Sequence, residues 1–171
     1  MTIAINIAKA LLAVIKTNNG NLNLDRVQVS AGSLDHPGPG RLIRYVATNG
    51  HVLLVVELEE DNVSEGTEDY SLADLKEYVA SKGYSTLTDR SADYGDFPDW
   101  EQCMPSTTSP VETIGLSVKY LKMLADIGRF LQVGDTWKVS LDGPLSPTMW
   151  EPQDLGDFTR VSFIIMPIRL D

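Results

Sequence analysis

The sequence predicts an α+β protein made of two strand-helix-antiparallel-meander units with an acidic, helix-containing insertion between them. Three observations lead there. Near each end a short alternating apolar run, Ile3-Ala4-Ile5-Asn6-Ile7 and Ile114-Gly115-Leu116-Ser117-Val118, passes through a residue suited to cap a helix into a pattern of helical period. Each helical pattern gives way to short β-type runs punctuated by Gly, Pro and Asn rather than to another helix. The middle of the chain has a different composition, acidic at first and then rich in Ser, Thr, Asp, Gly and Pro. With 171 residues, 43% of them hydrophobic, the chain can bury one good core. The expected organisation is a first unit over 1–60, an insertion over 61–109 and a second unit over 110–171, together one compact domain.

In order, Asn6 is expected to cap the first helix. Ile7, Leu11, Val14 and Ile15 share one face by their three- and four-residue spacing, and Lys9 and Lys16 lie together on the other side. Leu24 to Ser30 alternates as a strand, and the cluster His36-Pro37-Gly38-Pro39-Gly40 turns the chain. Leu42 to Ala47 and Val52 to Leu58 then form a hairpin about Asn49-Gly50, a strong turn signal. Glu57, Glu59, Glu60, Asp61, Glu65, Glu68 and Asp69 come with no base among them and read as a solvated loop.

Ser71 with Asp74 three residues on is a capping box, Tyr70 and Leu75 can staple it, and Gly83 can stop the helix, which is expected over Leu72 to Lys82. Tyr84 to Ser109 reads as loop, with Phe97 and Trp100 burying themselves locally as anchors. Ser117 is expected to cap a last helix with Val118, Leu121, Leu124 and Ala125 inward, and Lys119, Lys122 and Arg129 outward around Asp126. Strands follow at Trp137 to Leu141, Thr148 to Glu151 and Arg160 to Met166. The chain ends just after that last strand, so its tail is expected to be docked, with Pro167, Ile168 and Leu170 forming a small apolar rim.

Composition removes several functions. A net charge of -10 argues against a protein that coats nucleic acid, because such binding rests on Lys and Arg neutralising phosphates. One cysteine, Cys103, permits no internal disulfide and fits a reducing compartment; with two histidines it cannot assemble a zinc site, so no metal and no cofactor are expected. The apolar start has no basic leader and carries Lys9 in its middle, so it reads as core and the protein as cytoplasmic, without a membrane partner. A phosphate-binding glycine loop, a Gly-x-Ser-x-Gly elbow and metal-ligand spacings are all missing, which argues against an enzyme. Asp93, Asp96 and Asp99 suit turn caps better than chelation.

Three segments, in order, carry a resemblance: Ala47-Thr48-Asn49-Gly50-His51-Val52-Leu53, Phe97-Pro98-Asp99-Trp100-Glu101-Gln102-Cys103-Met104-Pro105 and Met166-Pro167-Ile168-Arg169-Leu170. Together with the repeated unit they resemble the bacterial DNA polymerase III beta sliding clamp, the processivity-clamp fold. That resemblance implies a surface pocket for short clamp-binding peptides of DNA polymerases, clamp loaders or repair proteins. Carried over by position, Thr48, Gly50, His51, Val52 and Leu53 would form one wall, Pro98 and Cys103 another, and Ile164, Met166, Pro167, Ile168, Arg169 and Leu170 would close it. It also implies that Lys9, Lys16, Lys119, Lys122 and Arg129 face double-stranded DNA through non-specific phosphate contacts, where composition alone allows a merely solvated helix face.

Departures from the family pattern are informative too. Val52 stands where the family usually has an arginine, which makes that wall more apolar, and Asn49 replaces an aspartate in the turn. A clamp subunit holds three domains, each a pair of such units, whereas this chain has about two units, so it resembles a miniature clamp. Two mechanisms follow: copies assemble into an oligomeric ring that tethers a polymerase to DNA, or a monomeric or dimeric adaptor or decoy occupies the same peptides without encircling anything.

Overall fold

In the computed structural model, residues 3–17, 24–33, 40–61, 63–105 and 114–168 are described. Strands β1 (Arg26–Ser33), β2 (Gly40–Thr48), β3 (Val52–Asp61), β4 (Gly66–Ser71), β5 (Trp137–Ser140), β6 (Thr148–Pro152) and β7 (Arg160–Ile165) form one antiparallel sheet in the order β4-β1-β2-β3-β7-β6-β5. The helices are α1 (Ile5–Ile15), α2 (Leu72–Ala80) and α3 (Val118–Leu131).

Strand β3 explains its own place in the sheet. Val52 to Val56 is an unbroken apolar run and every residue of it is buried, as in strands covered on both faces. Val52, Leu54 and Val56 belong to the large core under the helices, while Leu53 and Val55 pack with Val46 and Ile164 in a smaller cluster on the opposite face. β7 repeats the pattern and pairs with β3 in the register Val52↔Ile165, Leu53↔Ile164. That pairing sets the β2–β3 turn beside the end of the last strand.

The helical face carries the larger core. Helix α1 buries Ile7, Ala8, Ala10, Leu11, Ala13, Val14 and Ile15, so it is covered nearly all round, by the sheet beneath and by α2 and α3 beside it. Helix α2 starts as the capping box predicts: the Ser71 hydroxyl accepts from the Asp74 amide at 3.1 Å. It stops two residues before the expected Lys82, and Gly83, at φ +87, donates back to the Tyr78 carbonyl at 2.9 Å.

Several expectations fail. Ile3 to Ile7 is no strand: α1 begins at Ile5, its N-cap position is Ala4 without a side-chain bond, and Asn6 lies inside the helix. Alternation over five residues does not separate strand from helix when Ile3 and Ile7, four apart, are both buried. Among the described residues just before α3 the sheet pairing is an isolated bridge, Gly115 to Ile168, and Ser117 sits at the N-cap position without a side-chain bond.

The inward face of α3 is also rotated from expectation. Val118 is 78% exposed and Ala125 is exposed; the buried side is Met123, Leu124, Ile127, Gly128 and Leu131, with Leu121 partly buried. The acidic run is not a loop either. Glu57 to Asp61 completes β3, and Glu68 and Asp69 lie in β4, which pairs with β1. Glu57 and Asp69 are buried because Arg44 and Arg26 meet them across neighbouring strands, at 2.5 and 3.0 Å. The cluster at 36–40 lies outside the described residues except for Gly40, which opens β2.

Candidate functional site

The β2–β3 turn is built on Asn49. Its side-chain oxygen accepts from the amides of His51 and Val52, both at 3.0 Å, closing an Asx turn. Its amide nitrogen, buried with the rest of the residue, donates to the Thr17 hydroxyl at 2.5 Å and the Val14 carbonyl at 3.4 Å. One side chain therefore shapes the hairpin and ties it to the end of α1. Gly50 takes φ +84, a conformation costly for residues with a Cβ, and a Cβ there would also stand 3.5 Å from Leu24 Cδ1.

The turn projects His51 into solvent. Its ring stacks on Tyr120 of α3 at 6.1 Å between centroids and 26° between planes, and burial raises the pKa of the Tyr120 hydroxyl. The His51 carbonyl accepts from Met166 at 2.9 Å, extending the β3–β7 pairing past the last ladder pair. Turn and C-terminal strand are thus hydrogen-bonded neighbours.

Beside them opens a cavity of about 260 Å³ lined by Leu24, Thr48, Gly50, His51, Val52, Leu53, Pro98, Asp99, Trp100, Cys103, Ile164 and Met166. Of the residues singled out from sequence, Thr48, Gly50, His51, Val52, Leu53, Pro98, Cys103, Ile164 and Met166 meet at this one site. Pro167 and Ile168 continue past it; Ile168 is 48% exposed and its amide donates to Gly115 at 2.9 Å. Arg169 and Leu170 lie outside the described residues. The wall also includes Leu24, Asp99 and Trp100, which sequence reasoning did not assign to it. Leu24 headed a run read only as a strand, and Trp100 was read as a local anchor.

The wall facing the turn is a segment with little regular structure, Tyr94 to Met104, containing one short 3-10 turn at Trp100–Cys103. Two arginines of the sheet hold it. Arg26, wholly buried, bridges to Asp69 at 3.0 Å, donates to the Gly95 carbonyl at 2.7 Å, and lies 4.7 Å from the ring centre of Tyr94 and 5.2 Å from that of Phe97. Burial raises the pKa of the Asp69 carboxyl, and the neighbouring guanidinium opposes this in part. Arg44 lies 5.3 Å from the ring centre of Trp100 and reaches Glu57 at 2.5 Å and Glu101 at 3.7 Å. With both guanidiniums stacked, Phe97, Trp100, Cys103 and Met104 settle onto Val46, Leu53, Val55 and Ile164 and leave the cavity between loop and hairpin.

The other predicted set lies on the helices. Lys9 of α1, Lys16 at its C-cap, and Lys119, Lys122 and Arg129 of α3 are all exposed, on two helices packed side by side. Two of them are occupied by Asp126, which Lys122 meets at 2.9 Å and Arg129 at 3.0 Å. Hydrogen bonding from Lys122 lowers the Asp126 pKa, with smaller help from Arg129 and Lys16. Among the described residues no group of three or more His, Cys, Asp or Glu side chains is placed to hold a metal, and no helix is long and apolar enough to cross a membrane.

No protein-family model matches the sequence, and no curated protein matches it. Solved structures do match the fold. The DNA polymerase sliding clamp from Caulobacter crescentus superposes with a TM-score of 0.71 at 16% identity, over 97% of this chain and 63% of that one. The DNA polymerase III beta subunit from Thermotoga maritima gives 0.63 at 17%, over 99% and 65%. A sliding clamp from Bartonella birtlesii, solved bound to griselimycin, gives 0.68 at 15%, over 98% and 65%. The chain therefore has the sliding-clamp fold and spans about 63 to 65% of the length of these clamps.

Proposed function

We propose that this chain is a clamp-like docking protein of DNA replication or repair whose cavity takes a short linear peptide from a polymerase, clamp loader or repair protein. The observation that carries this reading is the convergence of hairpin turn, aromatic loop and last strand on one apolar cavity of about 260 Å³. Such a volume fits one or two large apolar side chains, and an apolar concavity with few polar groups is the usual form of a site that anchors a foreign segment. The wall without an arginine at Val52 leaves affinity to apolar burial and to backbone hydrogen bonds.

A fluorescence anisotropy titration with a labelled peptide bearing adjacent leucine and phenylalanine anchors tests it. Cys103→Arg, which pushes a long side chain into the wall, is expected to weaken binding at least about tenfold, a cost near 1.4 kcal/mol, while thermal unfolding stays cooperative. Equal affinity for both proteins would sink the docking site.

Tethering to DNA is the second arm of the same reading, and it rests on the exposed cations of α1 and α3. Because Lys122 and Arg129 share Asp126, the phosphate contacts are assigned chiefly to Lys9, Lys16 and Lys119. Binding of this kind is salt-dependent without base preference. Reversing those three lysines to glutamate is expected to abolish retention on nicked circular DNA in low salt and to leave peptide titration unchanged; retention equal to the parent protein would remove DNA from the proposal.

A further inference from the structure

The cavity has an apolar interior. Among its described lining residues there is no lysine or arginine, and the one carboxylate is Asp99, exposed at the mouth. Neighbouring acids are accounted for differently. Glu101 reaches Arg44 at 3.7 Å, and Asp93 reaches Arg90 at 3.7 Å. The two arginines nearest the loop are also committed: Arg26 is buried against Asp69, and Arg44 lies between Glu57 and Glu101. Asp99 has only a neutral donor, the Gln102 amide at 2.7 Å, and no cation within ion-pair distance among the described residues. The protein as a whole carries a net charge of -10.

We propose that the partner segment carries a lysine or arginine beside its apolar anchors, and that Asp99 is the residue that reads this charge. The inference rests on the docking reading above and adds the chemical class of the guest. Burial of the anchors desolvates the mouth of the cavity, so a carboxylate there must meet either water or a cation. A basic guest residue supplies the cation, whereas an acidic one meets Asp99 as a like charge, and this asymmetry selects among partners.

The test uses the full chain and labelled peptides that share leucine and phenylalanine anchors and differ only in carrying Lys, Gln or Glu at either flank. At low ionic strength the best Lys peptide is expected to bind about three- to fivefold tighter than its Gln counterpart, the scale of one exposed ion pair, and the Glu peptide weaker still. Asp99→Asn is expected to bring Lys and Gln peptides to one affinity, and about 1 M salt should do the same to the parent protein. A Glu preference, no preference, or a Lys preference that Asp99→Asn leaves intact overturns the inference while docking itself stands. Failure of every peptide to bind overturns the docking reading beneath it.

Discussion

The two faces of the sheet are covered in opposite ways. On one, α1 and α3 close over a continuous apolar core from Ile7 to Phe163 and Ile165, with side chains matched by helical and strand periods. On the other, an irregular loop covers only a small cluster around Leu53 and Ile164, held down by Arg26 and Arg44 rather than by a wide hydrophobic contact. The helical face packs closely around α1 and opens a cavity of about 530 Å³ between α3 and the rings of Trp137 and Trp150; the face closed by a loop on polar pins keeps a gap beside the β2–β3 turn, and that gap is the candidate site. Stability and docking are therefore separable.

The largest effect is expected where the loop is pinned. Arg26→Met leaves the Asp69 carboxylate buried without its ion pair and should cost about 3–5 kcal/mol in urea unfolding. Adding Asp69→Leu should restore most of that stability but not peptide affinity, because nothing then holds Gly95 and the rings of Tyr94 and Phe97. Recovery of both together would show that the loop needs no pin. On the helical face, Leu54→Ala should cost about 2–5 kcal/mol by cavity formation, with little change in affinity for the protein that remains folded. A parallel loss of affinity would mean that the two faces are coupled.

Trp100→Ala inverts the balance. The indole is half-buried, so its loss should cost only about 1–2 kcal/mol of stability, yet affinity should fall more than about tenfold because a wall of the cavity goes with it. The smallest effect is in acid. Hydrogen bonding from Arg90 lowers the Asp74 pKa, helped by Ser71, so its contribution is present above the unfolded value near 3.8 and is lost as pH falls through the folded value. Asp69, whose pKa burial raises, works with the opposite sign. Since the Arg90 side chain is 42% exposed, solvent screens the pair, and Asp74→Asn should cost less than about 1 kcal/mol at neutral pH and flatten the stability curve below pH 4. A difference that persists at pH 2 would contradict this origin.

Much of this was legible because it depends on neighbours in sequence. The capping box at Ser71, the Asn49-Gly50 turn and the unbroken apolar run of β3 each need only a few adjacent residues to declare themselves. What misled was short or ambiguous pattern. Five alternating residues at Ile3 suggest a strand, yet three of them form the first turn of α1, and the acid-rich stretch suggests a solvated loop because its partners, Arg26 and Arg44, lie on other strands. Leu24 was missed in the site because its place under Gly50 comes from the path of the chain into β1, not from a motif.

Local sequence suffices to say which segments turn and which are apolar enough to be central strands, while the expectation of a site at the turn, the Phe97-Pro98-Asp99-Trp100 loop and the last strand came from the resemblance. The three-dimensional arrangement alone places β7 beside β3, sets Arg26 and Arg44 to hold the loop over the outer face, and leaves Asp99 at the mouth with no cation among the described residues within ion-pair distance. Period and turn chemistry are local and travel with the chain, whereas strand order, buried charge pairs and the shape of a gap arise from residues far apart in sequence, and no short window contains them.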